Sequence, residues 1–193
     1  MVPRPIVFLL ALLVAACHPQ PPPFHGTDIT GADFGRNLTL TDHNGKPRTL
    51  EDFHGRVVVL FFGYTSCPDV CPTTLTRLAE VMKRLTSRST QVQVLFVSLD
   101  PERDTAARLR DFVPWFDPSF LGLYGDPAQT AAAAREFRIF SARKEVGGGM
   151  GYVLDHSAGV YAFDPAGRLR LYFRDSATVE EIAADLGRLL DQS

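Results

Sequence analysis

Two continuous apolar segments, separated by an amphipathic one, constrain this fold more than any other feature of the sequence. RVVVLFFGYT and VQVLFVSLD consist almost entirely of aliphatic, β-branched and aromatic residues. Such uninterrupted runs are typical of strands that are buried on both faces of a sheet. Between them, TTLTRLAEVMKRLTS repeats leucine, valine and methionine at helical spacing. A strand–helix–strand unit of this kind predicts an α/β fold, with helices packed on a central sheet.

The remaining segments extend this pattern at both ends. NLTLTDHNGKPRTLEDF alternates apolar and polar residues around Asn44-Gly45, which predicts an N-terminal hairpin. DTAARLRDFVPWF and PAQTAAAAREF are expected to be helices, on either side of a short strand in FLGLYG. HSAGVYAFDPAGRLRLYF predicts a second hairpin, and TVEEIAADLGRLL a closing helix that Thr178 and Glu181 cap. The length of 193 residues and the net charge of −2 favour one domain without a nucleic-acid surface.

The N-terminus differs in composition from the rest of the chain. In MVPRPIVFLLALLVAACHPQ, one arginine precedes an apolar run that is too short to cross a bilayer comfortably. We expect residues 1–16 to be a signal peptide, and VAAC resembles a bacterial lipobox in which Cys17 is lipidated. The alternative is an uncleaved signal anchor. Either way the protein is membrane-tethered with its domain outside the cytoplasm. Residues 17–37 form the proline-rich linker, and 38–193 form the domain.

If Cys17 carries lipid, Cys67 and Cys71 are the only cysteines left for the domain. They lie in CPDVCP, where a buried strand gives way to a helix, an edge at which α/β sheets bind ligands. Pro72 disfavours helical geometry at the preceding residue, so we expect Pro72 to be the first helical residue. A spacing of four residues brings two side chains together on a helix-like turn. From these residues alone, a disulfide, a redox pair and a metal site all remain open.

A third ligand would have to come from one of the five histidines. His156 follows the glycine-rich loop VGGGMG and stands at the start of the apolar strand of the second predicted hairpin. In such a position a lone histidine is more often a hydrogen-bonded structural residue than a ligand. The other four, in the linker and in polar turns, are expected to be solvated: His18, His25, His43 and His54.

The chain resembles the Sco/SenC family of thioredoxin-fold copper chaperones for cytochrome c oxidase assembly. The resemblance covers roughly residues 38–190 and rests on FFGYTSCPDVCPTTL, VSLDPERDT and VLDHS, in the order of the family. It implies that Cys67, Cys71 and His156 bind copper, as Cu(I) or Cu(II). It also implies that the acceptor is the binuclear copper site of cytochrome c oxidase subunit II, and that the protein is a metallochaperone rather than an enzyme.

The residue chemistry agrees with this implication. Thiolates select Cu(I), and imidazole serves both oxidation states of copper. Met150 and Asp155 are possible additional ligands, although packing and indirect contacts are the simpler expectation for both. In SLDPERDT, either Asp104 or Thr105 should cap the next helix, and the resemblance places this loop beside the metal site.

Three other functions compete with copper binding as explanations of the cysteine pair. A thiol-disulfide oxidoreductase, which keeps acceptor cysteines reduced through a Cys67–Cys71 disulfide, is the main alternative. Such enzymes use Cys-x-x-Cys and a proline facing it, whereas here His156 stands near that position and no proline lies between Pro127 and Pro165. A peroxidase of the peroxiredoxin type would need threonine and proline where this chain has Tyr64 and Leu60. A purely structural disulfide would close a very short loop and so remove little chain entropy.

Overall fold

The computed structural model describes residues 23–147 and 151–192. It contains ten strands and four α-helices in these ranges. The strands are β1 (Thr27–Asp28), β2 (Thr39–Asp42), β3 (Pro47–Thr49), β4 (Val57–Gly63), β5 (Val92–Ser98), β6 (Leu121–Tyr124), β7 (Ser141–Glu145), β8 (Tyr152–His156), β9 (Val160–Phe163) and β10 (Leu169–Phe173). The helices are α1 (Val70–Leu85), α2 (Ala106–Phe112), α3 (Pro127–Glu136) and α4 (Val179–Asp191).

Eight of the strands form one sheet in the order β1-β10-β9-β4-β5-β6-β2-β3. The pairs β4–β5 and β5–β6 are parallel, and the other neighbours are antiparallel. The two apolar runs of the sequence are β4 and β5, and every residue of both strands is buried. The predicted α/β class, the central sheet and the N-terminal hairpin β2–β3 are therefore confirmed.

The core has two layers because β4 alternates its side chains between the two faces of the sheet. Val57, Val59 and Phe61 pack beneath α1, α2 and α4, whereas Val58 and Leu60 face the layer that contains residues of α3. Each face therefore buries aliphatic and aromatic side chains, which is the main favourable contribution to folding. The carboxyl end of β4 is consequently held rigidly at the centre of the molecule.

The helices begin where their capping residues predict, with one exception. Thr105 accepts a hydrogen bond from the backbone of Arg108 and caps α2, and Thr178 and Glu181 form the expected capping box of α4. The exception is α1, which begins at Val70 rather than at Pro72. Proline is tolerated in the first turn of a helix because its missing N–H would lack a helical partner there.

The strands β7 and β8 form a separate two-stranded sheet that the sequence analysis did not predict. Their register pairs Ser141 with His156 and Glu145 with Tyr152. His156 is thus the last residue of β8, and the prediction that it starts the strand of the second hairpin is wrong. That hairpin, β9–β10, begins at Val160. Residues 148–150 of the loop before β8, including Met150, lie outside the described residues.

Part of the segment assigned to the linker is packed on the domain. β1 pairs with β10, and Phe24 contacts the larger core cluster. The carboxylate of Asp185, fully buried in α4, accepts hydrogen bonds of 2.8 Å from the backbone N–H groups of His25 and Gly26. Ordered structure therefore begins well before residue 38. The predicted signal peptide and Cys17 lie outside the described residues. Among residues 23–147 and 151–192, no helix is long and apolar enough to cross a membrane.

Candidate metal centre

Cys67 and Cys71 lie between the end of β4 and the first turn of α1. The backbone N–H of Cys67 donates to the carbonyl of Tyr64, which closes a turn immediately after the strand. Cys71 is the second residue of the helix and is fully buried, whereas Cys67 precedes the helix and is half-buried. Both are free thiols, and the Cys67 sulfur lies 3.4 Å from the backbone nitrogen of Cys71. The pair therefore presents two sulfurs at a helix N-terminus.

The third member of the site comes from β8, far along the chain. The Nε2 atom of His156 lies 3.5 Å from the Cys71 sulfur. The ligand atoms of Cys67, Cys71 and His156 all lie within 4.8 Å of one another. Among the described residues, this is the one group of three or more histidine, cysteine and carboxylate side chains with ligand atoms so close together. The structure thus brings together the three residues that the sequence analysis selected.

The orientation of the His156 ring is set by its other nitrogen. Nδ1 lies 2.8 Å from the carbonyl oxygen of Ser157, which can only accept a hydrogen bond. Nδ1 must therefore carry the proton and donate it, which leaves the lone pair of Nε2 directed at the sulfurs. A histidine ligand held through its other ring nitrogen in this way is typical of metal sites, because the hydrogen bond fixes both the tautomer and the ring orientation.

The two thiols have opposite acidities. A hydrogen bond from Cys71 is the main reason that the pKa of Cys67 is lowered, to about 3; backbone N–H groups of Asp69 and Cys71 add to this effect, and together they outweigh burial. The hydrogen bond that Cys71 donates to Cys67, together with burial, raises the pKa of Cys71. The pair thus shares one proton, with the thiolate on Cys67. Thiolate is the form of cysteine that binds metals and attacks disulfides.

Aromatic side chains enclose the site on the inner side. The Tyr64 ring meets the His156 ring edge-on, with centroids 5.8 Å apart, and Phe61 lies 6.4 Å from the same ring. Tyr64 is buried and its hydroxyl forms a hydrogen bond with Cys67; burial is the main reason that its pKa is raised. These rings limit the access of water to the imidazole and to Cys71.

Gly63 is a functional position that the sequence analysis missed. A β-carbon at this residue would lie 2.7 Å from the Cys71 sulfur and 2.9 Å from the Phe96 ring. Only glycine lets the buried sulfur approach the end of β4 so closely. The signal was present in the sequence, because a glycine at the end of a β-branched run often marks a close approach to the backbone.

The SLDPERDT loop supports the site through Asp104. This buried carboxylate accepts hydrogen bonds from the Thr65 backbone at 3.0 Å, the Thr65 hydroxyl at 2.6 Å and the Ser98 hydroxyl at 2.7 Å. Burial raises its pKa, against the effect of these bonds. Asp104 therefore joins β5 to the turn that carries Cys67, and the capping role belongs to Thr105.

The remaining candidates lie elsewhere. His54 is exposed as expected, and His25 is half-exposed with its ring 3.0 Å from Asp185. The expectation that His43 is solvated is wrong: it is buried, its Nδ1 accepts from the Gly122 backbone at 3.1 Å, and burial lowers its pKa. Asp155 is exposed and is not part of the three-residue group. His18 lies outside the described residues.

The fold and the site together define a class: thioredoxin-like α/β proteins that carry two cysteines and one histidine at the carboxyl end of a central strand. A family model described as SCO1/SenC matches residues 26–191. The chain therefore belongs to the SCO1/SenC family.

Known relatives agree with this assignment. The chain is 36% identical to the mitochondrial SCO2 homolog of Mus musculus over 154 residues, which cover 79% of this chain and 60% of that protein. It is 34% identical to an SCO2-like protein of Rickettsia felis over 151 residues, which cover 76% of this chain and 73% of that protein. The chain thus spans less than two thirds of the length of the mammalian relatives that it matches.

Solved structures show the same fold. ScoI of Bradyrhizobium japonicum, determined with copper bound, has a TM-score of 0.75 and 41% identity, with 82% of this chain and all of that one covered. Apo Sco1 of Thermus thermophilus has a TM-score of 0.77 and 37% identity, with 87% of this chain and 98% of that one covered. A SCO1/SenC family lipoprotein of Bacillus anthracis has a TM-score of 0.69 and 25% identity, with 84% of this chain and 97% of that one covered.

Proposed function

We propose that this protein binds one copper ion through the sulfurs of Cys67 and Cys71 and the Nε2 atom of His156. The observation that carries this proposal is the convergence of the three ligand atoms to within 4.8 Å. The Nε2 lone pair is available to a metal because the ring proton is on Nδ1, which donates to a carbonyl. Two thiolates and an imidazole match the ligand preference of Cu(I), and imidazole also suits Cu(II). The copper-bound relative from Bradyrhizobium supports the same metal.

The protein acts as a copper chaperone rather than as an enzyme. Three protein ligands leave the ion open to an incoming ligand of an acceptor, whereas structural metal sites usually have four. Family membership and the resemblance of the sequence motifs support a role in cytochrome c oxidase assembly, with the copper site of subunit II as acceptor. Because copper binds thiolates, loading requires the two cysteines to be reduced.

The domain works at a membrane, tethered by a lipid on Cys17 after cleavage of residues 1–16. The apolar N-terminal run and the VAAC sequence support this proposal. The related lipoprotein of Bacillus anthracis is consistent with it. The domain then faces the periplasm or the extracytoplasmic side, where copper can be passed to a membrane-bound oxidase.

A second candidate function is thiol-disulfide exchange, in which the protein keeps the cysteines of an acceptor reduced. The low pKa of Cys67, about 3, and its half-buried position favour this activity, since exchange requires an accessible thiolate. The two functions use the same cysteines, but only copper binding gives His156 a role as a ligand.

The decisive experiment measures copper stoichiometry and affinity for the reduced full chain in detergent. We expect one copper per chain, its loss in Cys67→Ser or Cys71→Ser, and at least roughly tenfold weaker binding in His156→Ala. His54→Ala is the matched control, because this exposed histidine lies outside the site. Unaltered affinity in His156→Ala would refute its role as a ligand. No copper binding, with a Cys67–Cys71 disulfide that exchanges readily, would favour the oxidoreductase.

A further inference from the structure

The hairpin that carries His156 is not part of the main sheet. In the described residues the strand β8 pairs only with β7, whose side chains are mostly exposed. A short two-stranded hairpin has little stability of its own in water. Contacts with the domain must therefore hold His156 opposite Cys71.

One group of these contacts surrounds Tyr152, the first residue of β8. Its hydroxyl donates to Asp100 at 2.6 Å, and its carbonyl accepts from Arg103 at 2.9 Å. The Arg103 guanidinium also lies 3.7 Å from the centre of the Tyr152 ring and forms an ion pair with Asp100. We call Asp100, Arg103 and Tyr152 the Arg103 cluster.

Arg103 extends from this cluster to the metal centre. Its guanidinium lies 5.6 Å from the Tyr64 ring, which in turn meets the His156 ring and forms a hydrogen bond with Cys67. The Nη2 atom of Arg103 is buried without a hydrogen-bond partner. Leaving a buried donor unpaired is unfavourable. The guanidinium therefore keeps its ion pair with Asp100 and its contacts with the Tyr64 and Tyr152 rings, although one of its own nitrogens stays without a hydrogen-bond partner.

The register of β8 decides which side chain reaches the copper site. Tyr152, Leu154 and His156 alternate with Val153 and Asp155, so the first three share the face that is turned to the domain. A slip of one residue would exchange the two faces of the strand. Asp155, a ligand poorly suited to Cu(I), would then replace His156.

We propose that Arg103 is a positioning residue, which acts through Tyr152 and Asp100 to fix the register of β8 and hold His156 Nε2 at the two sulfurs. The proposal rests on the proposed copper function. Arg103 reaches the three candidate ligands only through Tyr152 and Tyr64. The proposal assigns its effect on copper to His156; a route through Tyr64 and Cys67 would persist after His156 is replaced.

A double-mutant cycle tests this route, with copper affinity of the reduced full chain in detergent as the readout. Arg103→Ala should weaken copper binding at least roughly tenfold, as loss of a residue that supports a ligand does. In a His156→Ala background, the same change should have almost no further effect. Equal losses in both backgrounds, or no loss in the wild-type background, would overturn the proposal.

Arg143→Ala is the matched control. Arg143 stacks on Tyr152 at 3.6 Å but belongs to β7, is half-exposed and pairs with the surface residues Glu102 and Glu145. Its side-chain hydrogen bonds go to Glu145 and Glu102, whereas those of Arg103 go to Asp100 and the Tyr152 backbone. We expect its copper affinity to stay within about twofold of wild type, since surface pairs contribute little. A loss as large as that of Arg103→Ala would overturn the specific role of Arg103.

Amide hydrogen exchange of the copper-free chain provides an independent readout. Arg103→Ala should accelerate exchange in β8 about tenfold or more, while β4 and β5 remain as protected as in wild type. Unchanged exchange in β8 overturns the proposal whether or not copper binds. If the wild-type chain binds no copper, the proposed function fails while this result still decides whether the cluster holds the hairpin. If Arg103→Ala does not fold, Tyr152→Phe, which removes only the hydroxyl, replaces it in both measurements.

Discussion

Two cysteines four residues apart have very different surroundings. Cys67 accepts hydrogen bonds at the start of α1, whereas Cys71 is buried beneath Gly63 and donates its proton. Under the proposed function, copper binding would release the shared proton, because both sulfurs must be thiolates to act as strong ligands. Cys67 is the more exposed of the two and carries the thiolate, so it is the more accessible nucleophile.

This difference predicts the pH dependence of alkylation. The pKa of Cys67 lies near 3, below the ordinary value of 9.0, so the residue is already thiolate at pH 5. Its reaction with iodoacetamide should change little between pH 5 and pH 8, whereas an ordinary thiol would react roughly a thousandfold faster at pH 8. Mass spectrometry of the peptides measures each site, and the denatured chain is the control. A rate for Cys67 that rises tenfold per pH unit would contradict the prediction.

The close approach at Gly63 predicts a second effect at the scale of one residue. Gly63→Ala places a methyl group 2.7 Å from the Cys71 sulfur, so the sulfur or the helix must move. We expect a loss of about 1–3 kcal/mol in the free energy of unfolding and weaker copper binding. Gly147→Ala, at a position with no heavy atom within 4 Å, is the control. Denaturant unfolding and a copper titration measure the two effects, and equal values for both variants would contradict the prediction.

At the scale of elements, Asp104 connects the end of β5 with the turn before α1. Asp104→Ala removes the acceptor of three hydrogen bonds and leaves the Thr65 and Ser98 donors unpaired. We expect the free energy of unfolding to fall by about 3 kcal/mol or more, as measured with urea. The neighbouring Thr105→Ala, which removes a helix cap, should cost about 1 kcal/mol. A smaller loss for Asp104→Ala than for Thr105→Ala would show that the connection is unimportant.

Elements with a strong local pattern could be predicted from the sequence. The apolar runs of β4 and β5 and the capping box of α4 each carry their own signal within a few residues. The strand β7 has none: SARKE is polar and mostly exposed, and its strand conformation depends on pairing with β8. The start of α1 at Val70 was missed because the sequence cannot show whether Pro72 stands at the first or the third helical position.

At the scale of the whole molecule, the site joins three distant parts of the chain: the end of β4, the loop after β5 and the end of β8. The family resemblance selected three residues that the structure brings together, but the residue pattern alone could not place His156 beside Cys71. That distance depends on how the Arg103 cluster docks the hairpin. The burial of His43 could likewise not be predicted from the sequence, since its hydrogen-bond partner Gly122 lies on the distant strand β6.

The hydrogen bonds of Asp185 with His25 and Gly26 also set the reach of a tethered domain. If the lipid is on Cys17, eight residues (25 − 17) separate it from His25, the first residue whose backbone Asp185 fixes. Eight residues span at most about 28 Å at full extension. The domain then searches a thin layer above the bilayer rather than the surrounding volume. Confinement of this kind raises the effective concentration of a membrane-bound acceptor and makes transfer nearly intramolecular.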